Sequence, residues 1–514
     1  MIAAWTAADV RAAEEPLLEA GAPLMERASF ALAGQVLADL RARRRHVRGA
    51  RAVLLVGAGN NGGDALHAGA VLARRGLAVT AVLTSERVHA GGLAALRSAG
   101  GRVVELFAEP GSLDEVAARA ARADVVLDGL VGIGARGALR GLAADAVTAL
   151  LDVGSTGRPW VVAVDLPSGI GADDGALAGP VLPADRTVTF GAAKPGLLAP
   201  PAAHLVGEVT VVDIGLSFDG PPALCRLETE DVASGWPVPG PADHKYSRGV
   251  VGVVAGTATY PGAAVLTTSA AVRSGAGMVR YRGPDAVGHA VVAARPEVVV
   301  GPGRVQSWVV GPGIPSGPDQ PAGADDGQHE RGSAGLAAAR GELAGVGEPA
   351  PAVIDAGGLA LLDERCPPWF VLTPHAGELT TLLRSRGQDV RRRDVEAAPL
   401  RWSRTAQELT GATVLLKGGV TVVVGPSVAY AQADAPAWLS TAGAGDVLAG
   451  LLGAMLAARS AEVVRRPALA AEIAAAAALV HGRAAHRANP GGPVAALDVA
   501  EAIPATVAEL VGPT

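Results

Sequence analysis

Apolar positions recur at helical spacing from Ala7 to Leu18 and again from Pro23 to Arg45, so the chain opens on two amphipathic helices rich in Ala and Leu. At Ala52 the pattern changes. Ala52-Val53-Leu54-Leu55-Val56 is an uninterrupted apolar run that stops at the turn Gly57-Ala58-Gly59-Asn60-Asn61-Gly62-Gly63-Asp64, and helical spacing resumes from Ala65 to Arg75. Further short apolar runs follow at Ala78 to Leu83, Arg102 to Leu106, Ala123 to Asp128 and Trp160 to Val164. Strands that are apolar on both faces belong to a parallel sheet covered by helices, and the loops at their carboxyl ends are where ligands bind. The first half is expected to be α/β, a Rossmann-like three-layer domain.

From Ser217 to Pro241 the pattern breaks into Gly220, Pro221, Pro222, Pro237, Pro239 and Pro241, a connection that divides the chain into domains 1–222 and 223–514. A second α/β series follows, with strands at Val250 to Ala255, Ser307 to Val310 and Val353 to Asp355, and a segment Phe370 to Glu378 that runs from strand to helix. Tyr260-Pro261 opens a helix of small residues that runs to Ser274. Small side chains there suit either a flat ligand against the backbone or close packing of helix on sheet. Pro315 to Gly335, rich in Gly, Pro, Asp and Gln, reads as a solvated loop with no chemistry. The run Val414 to Val423 folds as a hairpin through Lys417-Gly418-Gly419, and helices are expected at Val447 to Ala458, Ala468 to Ala485 and Leu497 to Leu510.

Composition narrows the function. A chain of 514 residues needs more than one core, and 49% apolar content with 3% aromatics suits tightly packed α/β layers. The net charge of −6 offers no polybasic face, so neither nucleic acid nor membrane is an expected partner. Cys225 and Cys366 make neither a disulfide framework nor a zinc cluster, which fits a cytoplasmic protein. Lysine is scarce in an arginine-rich chain: Lys194, Lys245 and Lys417 all fall in Gly- or Pro-marked loops, where a compact ammonium does what a guanidinium fork cannot.

The candidate chemistry concentrates in Ser440-Thr441-Ala442-Gly443-Ala444-Gly445-Asp446, a small-residue turn leading into an apolar helix. Bare backbone N–H groups converge at such a helix start and stabilise charge developing on a phosphoryl group. Asp446 there is either a general base for a substrate hydroxyl or simply the helix cap. Lys417 and its glycine turn can bind nucleotide phosphates without a P-loop motif, and His375, at a strand end, faces the same edge. In the first half, Asn61, Asp128 and Ser168 come from three strand ends as hard oxygen donors suited to an alkali or alkaline-earth ion, although Asp128 and Asp165 taken singly could cap turns. Gly57, Gly59 and Gly62 with Glu86 also satisfy the dinucleotide fingerprint, a weak match on its own.

Two resemblances follow. NNGGD, LDGLVGIGARG, VDLPSG and TFGAAKPG, in this order, resemble the NAD(P)H-hydrate epimerase family over about residues 1 to 220. That likeness implies substrate contacts from Asn60, Asn61, Gly62, Gly63 and Asp64, from Gly132, Ile133, Gly134, Ala135, Arg136, Gly137 and Ala138, and from Asp165. It also implies K+ on Asn61, Asp128 and Ser168, with Asp165 and Lys194 as the acid–base groups. YPGAAVL, GPG, TPHAGE, LLKGGVT and STAGAGDVLAG resemble ADP-dependent NAD(P)H-hydrate dehydratase, of the ribokinase-like superfamily, over about residues 240 to 514. Here the likeness implies Ala263, Gly313, His375 and Asp446 around the hydrate, Lys417, Gly418, Gly419, Val420, Thr421 and Gly445 around the nucleotide, and Mg2+ on its phosphates. The joint expectation is a homo-oligomeric enzyme that repairs NADHX and NADPHX, the hydrates of NADH and NADPH, with ADP. A Rossmann oxidoreductase fused to a small-molecule kinase, or a dehydratase with a non-catalytic first domain, uses the same loops. One departure is Asp355-Ala356-Gly357, where the family commonly carries a second acid two residues after the aspartate.

Overall fold

The computed structural model describes residues 1–44, 47–108, 113–152, 158–315, 325–342 and 348–512. The chain divides into two compact units, Ala3–Ala223 and Leu224–Thr514, the latter including Met1–Ile2. In the first unit seven strands pair in the order Arg102–Glu105, Ala78–Leu83, Arg51–Val56, Val125–Gly129, Trp160–Val164, Arg186–Phe190 and Glu208–Val212, all parallel. Successive residues of one strand serve opposite cores: Leu54 and Val56 pack with Leu127 and Val162, whereas Val53 and Leu55 pack with Val126 and Val161. This is why the apolar runs show no alternation. The chain order reverses beside Arg51–Val56, and this switch point brings the end of that strand next to Asp128, which pairs with Leu55.

The second unit orders its strands Leu224–Arg226, Ala429–Gln432, Thr421–Val424, Thr413–Leu416, Phe370–Leu372, Ala352–Ile354, Ser307–Val310, Val250–Val254, Met278–Tyr281 and Val299–Val300. Two pairings are antiparallel, both made by Thr421–Val424, and the first of these carries the Lys417 turn. Its core is built from the helices Ala444–Ala458, Pro261–Arg273, Ala468–Ala488 and Ala496–Val511. Ala468–Ala488 is long and apolar enough to cross a bilayer, but 83% of its apolar window is buried inside the unit, so it is a core helix.

Several expected boundaries move. Asn60-Asn61-Gly62-Gly63-Asp64 is not a loop but the first turn of the helix Asn60–Arg74, capped by Gly59. The helix bearing Asp446 starts at Ala444. Within the expected connection, Leu224–Arg226 is a strand and Thr229–Gly235 a helix, closed by a capping box between Glu228 and Asp231. The expected loop Pro315 to Gly335 is also corrected: residues 316–324 lie outside the described residues, but Gln328–Arg340 is a helix. Composition misled there because Gln328 is fully buried, its amide donating to the carbonyls of Ala255 and Gly256 at 2.9 and 2.7 Å. Trp308 fills the space that a side chain at Gly335 would need.

Gly450 lets Ala444–Ala458 lie directly on Pro261–Arg273: a Cβ there would stand 2.1 Å from the carbonyl oxygen of Thr267. Alanine gains up to about 1 kcal/mol of helix propensity. The clash is with backbone, which cannot rotate away, and separating two packed helices costs about 1–3 kcal/mol. Gly450→Ala should therefore lower the midpoint of chemical denaturation despite its better propensity, and an unchanged or raised midpoint would refute the close packing.

Candidate active sites

In the first unit the glycines make room for an oxygen-rich centre. A Cβ on Gly57 would lie 1.8 Å from the Leu130 carbonyl oxygen, and one on Gly132 would lie 2.2 Å from Oδ1 of Asn61. Asp128, fully buried, accepts from Ser168 twice, from Oγ at 2.6 Å and from the backbone N–H at 2.8 Å. Asn61 Nδ2 donates to the carbonyls of Val164 at 2.6 Å and Val131 at 3.2 Å. Burial raises the Asp128 pKa, and the Ser168 bonds oppose that shift. Asn61, Asp128 and Ser168 are thus brought together with two main-chain carbonyls, and every donor that could face a cation is oxygen. Among the described residues, no group of three or more His, Cys, Asp and Glu could hold a metal.

Asp165 and Lys194 are also together. Asp165 adopts φ of 68°, a left-handed conformation uncommon for a residue with a side chain, and is buried. Its Oδ1 accepts from Lys194 Nζ at 2.5 Å and from Thr189 Oγ1 at 3.0 Å. Lys194 is 1% exposed, and its ammonium donates also to Thr189 Oγ1 at 2.9 Å and to the Phe190 carbonyl at 3.1 Å. All three ammonium protons have acceptors, so Lys194 holds Asp165 in place.

Asp64 stands close enough to Asp165 to feel its charge, and burial, Asp165 and Glu14 push its carboxyl up to about 8 against the pull of Ser29. Ser29 Oγ donates to the Met25 carbonyl at 2.6 Å and, more weakly, to Asp64 Oδ1 at 3.3 Å, so the hydroxyl offsets only part of the cost of burying that carboxylate.

The other expected contacts divide. Asn60, Asn61 and Gly132 to Ala135 line a cavity of about 860 Å3 together with Arg11 and Glu14 from the first helix. Arg136 and Gly137 line a neighbouring cavity of about 300 Å3. Gly62, Gly63 and Ala138 serve packing: Cβ atoms built on the two glycines would meet Gly57 and His89, and one on Gly179 would stand 2.8 Å from Ala138 Cβ. Arg11 and Glu14 were not anticipated, because on an amphipathic helix they look like solvated charges.

In the second unit Gly443, at φ 86°, takes the cap position of the helix Ala444–Ala458, and Asp446 belongs to its first turn. The cap explanation for Asp446 therefore falls. Burial and then the charge of Asp355 push Asp446 up to about 7, with Lys417 pulling it down. Lys417 is not a free ammonium: Nζ binds Asp355 Oδ1 at 2.6 Å and approaches Glu378 Oε2 at 3.8 Å. Burial works against its charge, but Asp355 and Glu378 outweigh it and raise its pKa. Thr373 Oγ1 donates to the same Asp355 oxygen at 2.8 Å. A Cβ on Gly445 would be 3.3 Å from the Lys417 ammonium, so the helix start and the Lys417-Gly418-Gly419 turn face each other, with Val420 leading into the return strand Thr421–Val424. His375 bridges to Lys417 along the sheet edge, but its Nδ1 caps the helix Ala376–Ser385 through Gly377 and Glu378. Ala263 and Gly313 are neighbours, a Cβ on Gly313 lying 2.5 Å from that of Ala263, so close packing accounts for the small residues there. Lys245 is exposed over Tyr246 and takes no part. Asp355 as the partner of Lys417 went unforeseen, since its sequence neighbours Ala356 and Gly357 carry no charge.

A parallel sheet with an oxygen-lined switch point, and a mixed sheet where a raised-pKa carboxylate, a lysine hairpin and a glycine-led helix meet, define an α/β enzyme of two units, Rossmann-like in its first and built on a mixed sheet in its second. Family models agree with this division: residues 251–505 match NAD(P)H-hydrate dehydratase, and residues 21–196 match the YjeF-related protein N-terminus. The bifunctional NAD(P)H-hydrate repair enzyme Nnr of Mycobacterium tuberculosis (strain CDC 1551 / Oshkosh) is 43% identical over 87% of this chain and 88% of its own length. The NAD(P)H-hydrate epimerase of Clavibacter sepedonicus is 48% identical over 43% of this chain and 94% of its own. A solved ADP/ATP-dependent NAD(P)H-hydrate dehydratase from Bacillus subtilis, co-crystallised with ATP and Mg2+, aligns at 21% identity and a TM-score of 0.45, covering 55% of this chain and 97% of that one, a likeness too distant to carry weight. The chain belongs to the family of bifunctional NAD(P)H-hydrate repair enzymes.

Because Asp64 binds its proton more tightly folded than unfolded, ionising it costs stability increasingly from about pH 4 to about pH 8 and by a constant amount above. Asp64→Asn lacks that cost. The difference in Tm between the variant and the wild type should grow in the variant's favour from pH 5 to pH 8 and then level off; a difference independent of pH would mean that Asp64 is ionised throughout.

Proposed function

We propose that this enzyme interconverts the R and S hydrates of NADH and NADPH in its first unit and, in its second, returns the S hydrate to the reduced dinucleotide at the expense of ADP. The observation that carries the second step is Asp446, half-buried in the first turn of a glycine-led helix with a pKa near 7, facing Lys417. Such a carboxylate takes the proton of the substrate hydroxyl as its oxygen attacks the terminal phosphorus and AMP leaves. The carbon–oxygen bond then breaks, phosphate departs with the electron pair, the ring nitrogen donates its lone pair, and loss of a neighbouring proton restores the ring double bond. The N–H groups at Gly445 meet the charge on the transferring phosphoryl group. Lys417 to Thr421 hold the nucleotide, Lys417 staying charged because Asp355 and Glu378 face it. Ala263, Gly313 and His375 border the hydrate.

With no protein-built divalent cluster among the described residues, Mg2+ is expected to come with the nucleotide, on its phosphates, where it screens their charge. In the first unit the oxygens of Asn61, Asp128 and Ser168 suit K+, which supplies the positive charge that buried Asp128 otherwise lacks. Asp165, held by the Lys194 ammonium, is the proton acceptor of the epimerisation. Two free cysteines, Cys225 and Cys366, fit a cytoplasmic setting.

A mixture of R and S hydrates with ADP, followed at the absorbance of reduced nicotinamide, should be recovered completely; recovery that stops at the S fraction would make the first unit non-catalytic. Asp446→Asn should lower dehydration about 100-fold or more, the usual share of a general base, and leave R/S interconversion intact. Loss of both would show that the two sites are not independent. The wild-type dehydration rate should rise with pH and reach a plateau above about pH 7, so that at pH 6 it runs about tenfold below the plateau; a flat profile excludes Asp446 as the base. Replacing K+ by a large organic cation should slow epimerisation alone.

A further inference from the structure

Two cavities of the first unit share one cation on their walls. Arg11, Ile133 and Ala135 line both the larger cavity, of about 860 Å3, and the smaller, of about 300 Å3. Arg11 reaches that shared wall from the helix Ala7–Glu19, and its Nη2 donates to the Ile133 carbonyl at 2.8 Å. The bond fixes the exposed guanidinium to the very loop expected to touch substrate. Among the described residues Arg11 is the one basic side chain lining the larger cavity, whose other charges are Glu14, Glu15 and Glu19. In the smaller cavity Asp173 and Asp174 face Arg136. Their carboxylates are engaged with backbone, Asp173 with the N–H of Ala7 at 2.7 Å and Asp174 with that of Ala176 at 3.0 Å.

We infer that Arg11 binds the pyrophosphate of the dinucleotide hydrate, with the damaged ring in the larger cavity and the adenosine half in the smaller. The inference rests on the epimerase reading of this unit. The larger cavity takes the reacting ring because Glu14, on its wall, is coupled by charge to Lys194 and Asp165. A dinucleotide is two nucleosides joined by a doubly charged bridge, so two adjoining cavities must present a cation where they join. A planar guanidinium with a fork of donors matches two phosphate oxygens, and an ammonium on a flexible stem matches them less well. The walls on either side are acidic, so the bridge is matched in charge at Arg11 and repelled elsewhere in the larger cavity. Arg11 is a binding and specificity residue: it tells a dinucleotide from a mononucleotide and touches no reacting atom.

The test uses the full chain without ADP, following R/S interconversion by chromatography with two substrates, NADH hydrate and the hydrate of reduced nicotinamide mononucleotide. Arg11→Ala should raise KM for the dinucleotide about 10- to 100-fold, the usual worth of a charge-assisted contact, with kcat little changed. The same variant should leave kcat/KM for the mononucleotide at the wild-type value, and Arg11→Lys should fall between. Unaltered dehydration of the S hydrate with ADP would show that the second unit is intact, and wild-type turnover of the mononucleotide that the first is folded. Equal loss on both substrates, a loss in kcat instead of KM, or an unchanged KM for the dinucleotide each overturns the assignment. A wild-type chain that fails to interconvert the hydrates overturns the epimerase reading and this inference with it, whereas an active wild type with indifferent variants overturns this inference alone.

Discussion

Each unit depends on a lysine ammonium set against one buried aspartate at the edge of its sheet, fully out of water for Lys194 and largely so for Lys417. Lys194 meets Asp165 at 2.5 Å, and Lys417 meets Asp355 at 2.6 Å. Burying such a pair costs more in lost hydration than its attraction returns unless further hydrogen bonds complete it. Both pairs are completed by a threonine hydroxyl, Thr189 in one unit and Thr373 in the other. Two of the three lysines of the chain are spent in this way, while arginines serve most of the surface. An apolar pair would pack as well and cost less, so what the ion pairs contribute is a fixed local charge beside a reacting group.

Beside each pair stands a second carboxyl without a lysine of its own. Asp64 near Asp165 and Asp446 near Asp355 are both pushed upward by burial and by the neighbouring carboxylate, to about 8 and about 7. Two acids whose surroundings drive them apart can divide proton donation from proton acceptance near neutrality. The backbone takes part in this division in two ways. In the first unit the paired carboxylate belongs to buried Asp165, held at a positive φ. In the second, the cap position goes to Gly443, which leaves Asp446 one turn into the helix with its carboxylate uncommitted to capping.

Glycines and alanines set how closely these parts approach. Gly57 and Gly132 admit a carbonyl and the Asn61 amide where any side chain would collide, and Gly450 allows the helix behind Asp446 to touch its neighbour. With so few aromatics, the core of the second unit is filled mainly by Ala and Val and that of the first by Leu, Ala and Val, which pack closely with few large rings. The catalytic loops are therefore held by backbone contact more than by large anchoring side chains.

Chain order and periodicity were enough to read the more apolar strands, the hairpin at Lys417, and the residue types around Asn61, Asp128, Asp165 and Asp446, because runs buried on both faces and glycine turns are properties of contiguous residues; strands such as Arg186–Phe190 and Ala429–Gln432, and the reversal beside Arg51–Val56, were not. Contacts between distant residues were not legible. That Asp355 would occupy Lys417, that Asp64 would be buried against Ser29, and that Gln328 would be drawn into a buried helix out of a polar stretch all depend on groups 62, 35 and 73 positions apart meeting once the sheets close. Arg11 is the sharpest case. On its own helix it is one more exposed charge, and it acquires a role only when folding sets it against the Ile133 carbonyl, 122 residues away, at the seam of two cavities. Local composition decides which elements form; the protonation and pairing of buried groups are decided by the field and the hydrogen-bond partners of the assembled interior.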